Sequence, residues 1–294
     1  MVLYFLSLLA GMLISVMVVF NGGLNARVGQ TMALVIIHVA GFLFLFAAFF
    51  IKKEKPILKK LPLWLYTGGL FGILTTVFNN TAFGHISVSA MMALSLLGES
   101  VSGLLADHFG MIGLPIRRFR FEKLWGGLIT LIGIVWMLNE FRPLPVLVSL
   151  LAGVTVLISR LLNSRLARET SVKTSALFNY MVGLLAALLL LLFTKSSVTW
   201  SFALSGPPYL YLGGSLGAVI VLLSNHIVGR ISSFYMTLAI FIGQVSASLL
   251  LDMLLTQSFP MRTAIGGLFV LAGLVINLMQ DRVFGMHGKT DSAN

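Results

Sequence analysis

The sequence predicts an all-α polytopic membrane protein whose ten transmembrane helices form two inverted repeats of five. The first observation is composition: 58% of the 294 residues are hydrophobic, 10% are charged and the mean hydropathy is +1.00, whereas an average soluble domain has about 25% charged residues. The second is a series of apolar stretches, and the third is an internal repeat. The sequence contains no cysteine, which excludes disulfides and thiolate metal sites.

Ten apolar stretches bounded by Gly, Pro or charged residues define the predicted spans: 3–22, 31–51, 62–84, 86–109, 122–139, 145–166, 172–193, 207–228, 232–255 and 262–280. A bilayer-spanning helix takes roughly 20 residues, so ten spans leave only short connections. We therefore expect a first repeat over 1–142, a second over 143–280, and a polar, disordered cytoplasmic tail over 281–294.

The distribution of basic residues predicts the orientation. An even number of spans places both termini on one side, and fifteen of the twenty lysines and arginines fall in the loops of that side, including clusters at 52–60 and 117–123. Loops rich in Lys and Arg stay in the cytoplasm, so we expect N-in/C-in topology. The net charge of +11 lies in these loops, and nucleic acid is not an expected partner.

The internal repeat is the most informative feature. A shift of 145 residues aligns 62–107 with 207–252 and gives fifteen identities in 46 positions. Five spans per half is an odd number, so the second half must enter the membrane from the opposite side. The loop charges invert accordingly, because the lysine cluster after span 2 corresponds to a lone Lys195 after span 7. Inverted repeats of this kind build alternating-access transporters, with the substrate near the midplane.

The paired glycines of spans 3 and 8, with the dipeptides Gly98-Glu99 and Gly243-Gln244, resemble the drug/metabolite transporter superfamily. Within it, Asn21–Arg27 and the segment ISVSAMMALSLLGESVSGLLAD at 86–107 are similar to the YdcZ-like branch, whose members are often single five-span halves. The resemblance covers about 6–140 and 148–280. It implies an EamA-like fold with spans 3, 4, 8 and 9 around a central cavity and spans 5 and 10 at the periphery, but no particular substrate.

Glu99 is the only acidic residue near the middle of a predicted span, roughly 2 Å from its centre at about 1.5 Å rise per residue. Because an ionised carboxylate in hydrocarbon is costly, Glu99 is suited to taking up and releasing a proton. Its repeat mate Gln244 cannot titrate, so any protonation step belongs to one half. The alternative is a neutral glutamic acid that hydrogen-bonds a neighbouring helix.

Three other polar residues of the spans are candidates for contact with a solute or a proton. His38 in span 2 could exchange a proton with Glu99, although its mate Tyr180 favours a simple hydrogen-bonding role for a polar ring. Arg160 in span 6, about 7 Å from the midplane, could bind an anionic solute. The favoured alternative for Arg160 is snorkelling of its side chain to the cytoplasmic interface.

Several small and polar residues recur in both halves. The amides of the pairs Asn21/Asn163 and Asn80/Asn225 can either hydrogen-bond across helices or line a cavity mouth. The glycines favour close helix packing, with hinge motion as the alternative; they are Gly68, Gly69, Gly72, Gly213, Gly214 and Gly217. Asp107 and Asp252 occupy equivalent span ends, where we expect them to reach interfacial water in a structural role.

These features predict a secondary active transporter that moves a small polar or amphipathic metabolite or drug by alternating access. The chain has no Walker motif and needs no cofactor, so an ion or solute gradient must drive it. Proton-coupled efflux through Glu99, with solute and proton competing for the cavity, is the simplest scheme. The alternatives are a uniporter or importer, a non-transporting receptor, and an intramembrane enzyme, although no HExxH, no GxSxG and no acidic pair supports an enzyme. The expected partners are the solute and the lipid bilayer, and the chain is expected to be a monomer.

Overall fold

A computed structural model of the chain describes residues 1–113, 123–138, 140–194, 206–227, 230–231 and 233–290. Over these ranges the protein contains ten α-helices and no β-strand. The helices are α1 (Val2–Val28), α2 (Gln30–Ile51), α3 (Gly68–Ala82), α4 (Val88–Phe109), α5 (Lys123–Met137), α6 (Pro143–Glu169), α7 (Val172–Thr194), α8 (Gly213–Ile227), α9 (Ser233–Thr256) and α10 (Met261–Thr290). Seven of these helices are long and apolar enough to cross a membrane, if α8 is counted together with the 3₁₀ segment that precedes it. The apolar parts of α5 and α10 are shorter. The ten helices fit the predicted polytopic membrane protein.

The third and eighth spans do not run as the continuous helices that the sequence predicts. Each begins with a single 3₁₀ segment, Leu63–Tyr66 or Pro208–Leu212, and the α-helix starts only at the glycine pair that follows. Pro62 and Pro207 lie just before or at the start of these segments with φ near −55°, the value that the proline ring imposes. The same break therefore occurs at matching positions of the two halves.

The end of the chain also differs from the expectation. Helix α10 continues to Thr290, so residues 281–290 extend a helix where the sequence predicts a disordered tail. No proline follows Met279 to end the helix. Residues 291–294, the basic positions 117–120 and Lys195 lie outside the described residues.

The two halves interlock, because their helices pack mainly against helices of the other half. Helix α1 packs on α8 and α9, and its repeat mate α6 packs on α3 and α4. In the same way α2 contacts α8 while α7 contacts α3. The mates α2 and α7, α4 and α9, and α5 and α10 also meet in pairs. Each contact of one half therefore has its counterpart in the other.

The contact between α5 and α10 shows directly that the halves are inverted. Gly126 faces Gly273, whereas Gly133, one heptad later, faces Gly266. At a shift of 140 residues, which aligns the ends of the two halves, Gly126 is the repeat mate of Gly266 and Gly133 is the repeat mate of Gly273. Mates that meet crosswise belong to antiparallel helices, so the second half runs opposite to the first, as the sequence predicts.

Glycines allow the closest helix crossings of the bundle. A Cβ atom on Gly11 would overlap the carbonyl oxygen of Ile240, and one on Gly243 would overlap that of Leu8, so α1 and α9 meet backbone to backbone. The mate crossing joins α4 and α6, where Gly98 abuts Leu150 and Gly153 abuts Ser95. Such close approach between helices is typical of membrane proteins, in which van der Waals packing replaces hydrophobic burial.

We predict that Gly153→Ala destabilises the protein, because its Cβ would displace the Ser95 carbonyl and separate α4 from α6. Overpacking of this kind costs about 1 to 3 kcal/mol. The apparent melting temperature in detergent, read by size-exclusion chromatography after heating, should fall. The matched control is Gly127→Ala, since nothing lies within 4 Å of a Cβ at Gly127. Equal melting temperatures for the two variants would contradict the crossing as a source of stability.

Candidate functional site

An ion pair joins α4 to α6 inside the bundle. The guanidinium of Arg160 donates a hydrogen bond to Oε1 of Glu99. The pair lies beside the glycine crossing, since Glu99 follows Gly98 and its backbone nitrogen faces Gly153. The Arg160 side chain is 21% exposed and the Glu99 side chain 18%, so both groups are largely, but not completely, enclosed.

The ion pair revises two expectations. Arg160 is directed at Glu99 instead of snorkelling to the interface, and Glu99 has a cationic partner instead of standing alone in apolar surroundings. Each charge now compensates the other, and removing either would leave an uncompensated charge in the bundle. The sequence places both residues at similar depth but gives no signal that their side chains meet.

The mate crossing carries no such charge. Gln244 lies beside Gly11 where α1 meets α9, in the position that Glu99 has beside Gly153. Its backbone carbonyl accepts a 3.0 Å hydrogen bond from the hydroxyl of Ser15. The two crossings therefore share their backbone geometry and differ in charge.

His38 and Tyr180 meet each other where α2 packs on α7. Their rings lie 5.7 Å apart between centroids, and each covers a glycine of the opposite helix, His38 over Gly183 and Tyr180 over Gly41. The His38 Nδ1–H donates a 2.8 Å hydrogen bond to the carbonyl of Leu34. This bond and the ring contact support the role of a packed polar ring, and the structure does not bring His38 to Glu99 by any hydrogen bond.

The first pair of repeated asparagines packs against the glycines that begin α3 and α8. The amide of Asn163 covers Gly68, and that of Asn21 covers Gly213. Asn163 Nδ2 also donates 2.8 Å to Oδ1 of Asn179 and 3.2 Å to the hydroxyl of Ser159. These contacts join α6 to α3 and α7. Asn163 therefore hydrogen-bonds across helices, which is the first of the two alternatives that the sequence offers.

Unpaired buried amide atoms occur in both pairs of asparagines: Oδ1 of Asn21 has no hydrogen-bond partner in the described part of the chain, and the second pair, Asn80 and Asn225, has more such atoms. Both side chains are buried, yet within the described part of the chain neither amide atom of Asn80 has a hydrogen-bond partner, and Nδ2 of Asn225 has none either. The Asn80 backbone carbonyl accepts a 3.4 Å bond from Nδ2 of Asn25. An unpaired buried amide costs free energy, so the cavity-lining alternative stays open for these two residues.

The remaining predicted glycines differ in how tightly they are packed. A Cβ on Gly69 or Gly214 would overlap the backbone of the neighbouring helix, and one on Gly217 would overlap the Tyr180 hydroxyl. At Gly72 the nearest atoms would be 3.9 Å away, in the side chain of Asn179. The close-packing interpretation therefore fits all of them except Gly72.

Sequence reasoning missed the role of Asp252. Its carboxylate is 4% exposed and does not reach interfacial water as expected. It accepts hydrogen bonds from the backbone N–H groups of Val88 (2.8 Å) and Ser89 (3.0 Å) and from the Ser89 hydroxyl (2.6 Å). Ser87 Oγ accepts from Ala90 N at 3.2 Å, so the N–H groups of the three residues that follow Ser87 are all capped. The sequence signal that could have indicated this role is the occurrence of aspartate at equivalent positions of the two halves, Asp107 and Asp252.

Asp252→Asn should lower stability by about 1 to 3 kcal/mol, because one charged acceptor is lost from a buried cap. The measurement is the shift of the melting temperature of the purified protein. Glu140→Gln is the matched control, since Glu140 is 72% exposed and pairs with Arg142 at the surface. If the two variants melt alike, the cap does not hold α4 to α9.

The described part of the chain contains seven helices long and apolar enough to cross a membrane, and an ion pair is enclosed at one of the helix crossings. These features define a multi-pass membrane protein. The profile of a family described as "Putative inner membrane exporter, YdcZ" matches residues 2–136 and 144–276, one match in each half. The chain therefore belongs to the YdcZ family of the drug/metabolite transporters, and the resemblance drawn from the sequence is confirmed.

Two further comparisons bear on the fold. No curated protein matches the chain in sequence. A solved structure, described only as "Crystal structure of protein", superposes with a TM-score of 0.63 over 96% of this chain and 97% of its own at 19% identity. At that identity the likeness shows a shared fold over nearly the whole chain.

Proposed function

We propose that the protein is a secondary transporter that exports a small polar or amphipathic solute by alternating access, with Glu99 as the site of proton coupling. The observation that carries this proposal is the enclosed Glu99–Arg160 pair at one of two equivalent crossings. Ionisable groups inside a membrane are costly, and they are typical of substrate and ion pathways.

The inverted halves support the alternating-access part. In such folds two states interconvert when the halves exchange conformations around a site near the midplane. Helices α4 and α6 belong to different halves, so a movement of one half against the other acts on the pair between them. Glu99 then exchanges partners, with Arg160 in one state and a proton in the other.

The topology is proposed from charge. Residues 52–60 contain five lysines and are exposed together in the loop between α2 and α3, and the positive-inside rule places that loop in the cytoplasm. Both termini then lie in the cytoplasm of a bacterial cell with the chain in its inner membrane. A monomer is consistent with this arrangement, since α5 and α10 find their main helical partner in each other.

The test measures solute-dependent proton movement in proteoliposomes that contain a pH-sensitive dye. We expect a panel of small solutes to include at least one that changes the internal pH with the wild-type protein. Glu99→Gln, which cannot bind the coupling proton, should reduce that signal to the level of protein-free vesicles.

Glu140→Gln provides the matched control, because it makes the same chemical change at an exposed carboxylate. It should retain the wild-type signal. Undiminished proton movement in Glu99→Gln would exclude Glu99 as the coupling site. Solute movement without any proton movement in the wild type would favour a uniporter.

A further inference from the structure

The charges of the Glu99–Arg160 pair restrict which solutes the site can accept. The carboxylate and the guanidinium sum to zero, and the guanidinium of arginine does not lose its proton in proteins. Whenever Glu99 releases Arg160, a permanent positive charge therefore remains at the crossing of α4 and α6. An uncompensated charge in that position is strongly unfavourable.

No neighbouring group replaces Glu99 within the described part of the chain. Helix α3 carries no charged residue, and Asp107 lies eight residues beyond Glu99 on α4, about 12 Å along the helix axis. The other charged or titratable groups on the helices packed around the pair have their own partners or lie near helix ends. Asp252 caps the start of α4, Arg165 donates to the Ile112 carbonyl, Lys173 pairs with Glu54, His226 contacts Arg230, and the Tyr180 ring lies against His38 of α2. The residues near helix ends are Tyr4 and Arg27 of α1, His108 of α4, Lys123 of α5, Arg168 and Glu169 of α6, Tyr235 of α9, and Arg262 and the charged residues after 280 of α10.

We infer that the transported solute carries an anionic group, such as a carboxylate or a sulfonate, which binds Arg160 when Glu99 leaves it. This inference rests on the proposed function and names its substrate class. The planar guanidinium presents parallel N–H donors that match the two oxygens of such a group. Both side chains are partly exposed, so the surrounding helices do not seal the pair completely.

Charge balance at the site then determines how many protons are transported with each solute. A monoanion on Arg160 leaves Glu99 to take one proton, so the occupied site is neutral and one proton travels with each anion. A zwitterion places its anionic group on Arg160 and its ammonium on Glu99, and the site is neutral without a proton. A solute with only a positive charge would bring the site to +1. Proton and anion therefore bind together, so export runs down an outward gradient of the anion and one proton leaves with each anion. This scheme differs from the competition between solute and proton that is expected from the sequence.

The experiment uses a series of solutes with a similar apolar body and different charge. Proteoliposomes are preloaded with radiolabelled phenylmethanesulfonate, phenylalanine, phenyltrimethylammonium or 3-phenylpropanol, and both release and internal pH are followed. We expect release of the sulfonate with proton movement and no release of the cation above protein-free vesicles. Phenylalanine released alongside the sulfonate should move without a proton. Glu99-dependent release of the cation alone would overturn the inference and leave the proposed function standing. Protein-dependent release of none of the four would contradict both.

Variants of Arg160 separate solute binding from a purely structural role. Arg160→Gln leaves Glu99 as the only charge, so the ratio of anion to cation release should reverse, whereas a structural defect would lower all rates together. Arg160→Lys keeps the charge but lacks the planar fork, and it should keep the wild-type selectivity at a lower rate. Arg142→Gln, at an exposed arginine, is the matched control. An unchanged anion-to-cation ratio in Arg160→Gln would overturn the inference.

Discussion

The structure depends on backbones that touch at glycines. Lipid offers no hydrophobic driving force between apolar helices, so they associate through close van der Waals contact. The Gly11–Gly243 and Gly98–Gly153 crossings bring α1 onto α9 and α4 onto α6 without intervening side chains. These two crossings tie each half to the other.

The polar side chains are arranged around these contacts. Glu99 and Gln244 occupy equivalent places beside the two crossings, but only Glu99 faces an arginine. The fold is therefore nearly symmetric in its backbone and asymmetric in its charge. A repeat protein of this kind can keep the geometry that two equivalent states require while it assigns the chemistry to a single crossing.

The sequence predicts the course of the backbone well because the same pattern of spans and glycines occurs in both halves. Gly68 and Gly213 mark the start of the α-helix in their spans, and the crosswise contacts of α5 with α10 follow from the odd number of helices in each half. Side-chain partners are harder to predict, because a depth along a helix does not specify a direction around it. Arg160 was therefore expected at the interface, and Asp252 was expected in water although it caps a helix 163 and 164 residues away in sequence.

The 3₁₀ segments before α3 and α8 escaped prediction for a different reason. Their residues are as apolar as a membrane helix, so hydropathy alone does not distinguish the two conformations. Proline and the following glycine pair were visible in both repeats, but this pattern also fits the ordinary start of a span. The distinction depends on local backbone geometry, which a hydropathy pattern does not record.

The interlocking of the halves has a consequence for the order in which the protein is made. Helix α1 is synthesised before its main neighbours α8 and α9, which belong to the second half. Until the second half is inserted, the surfaces of the first half that will pack against it are therefore in contact with lipid. Assembly is completed by the second half, which makes the fused chain its own partner and removes the need for two separate halves to find each other.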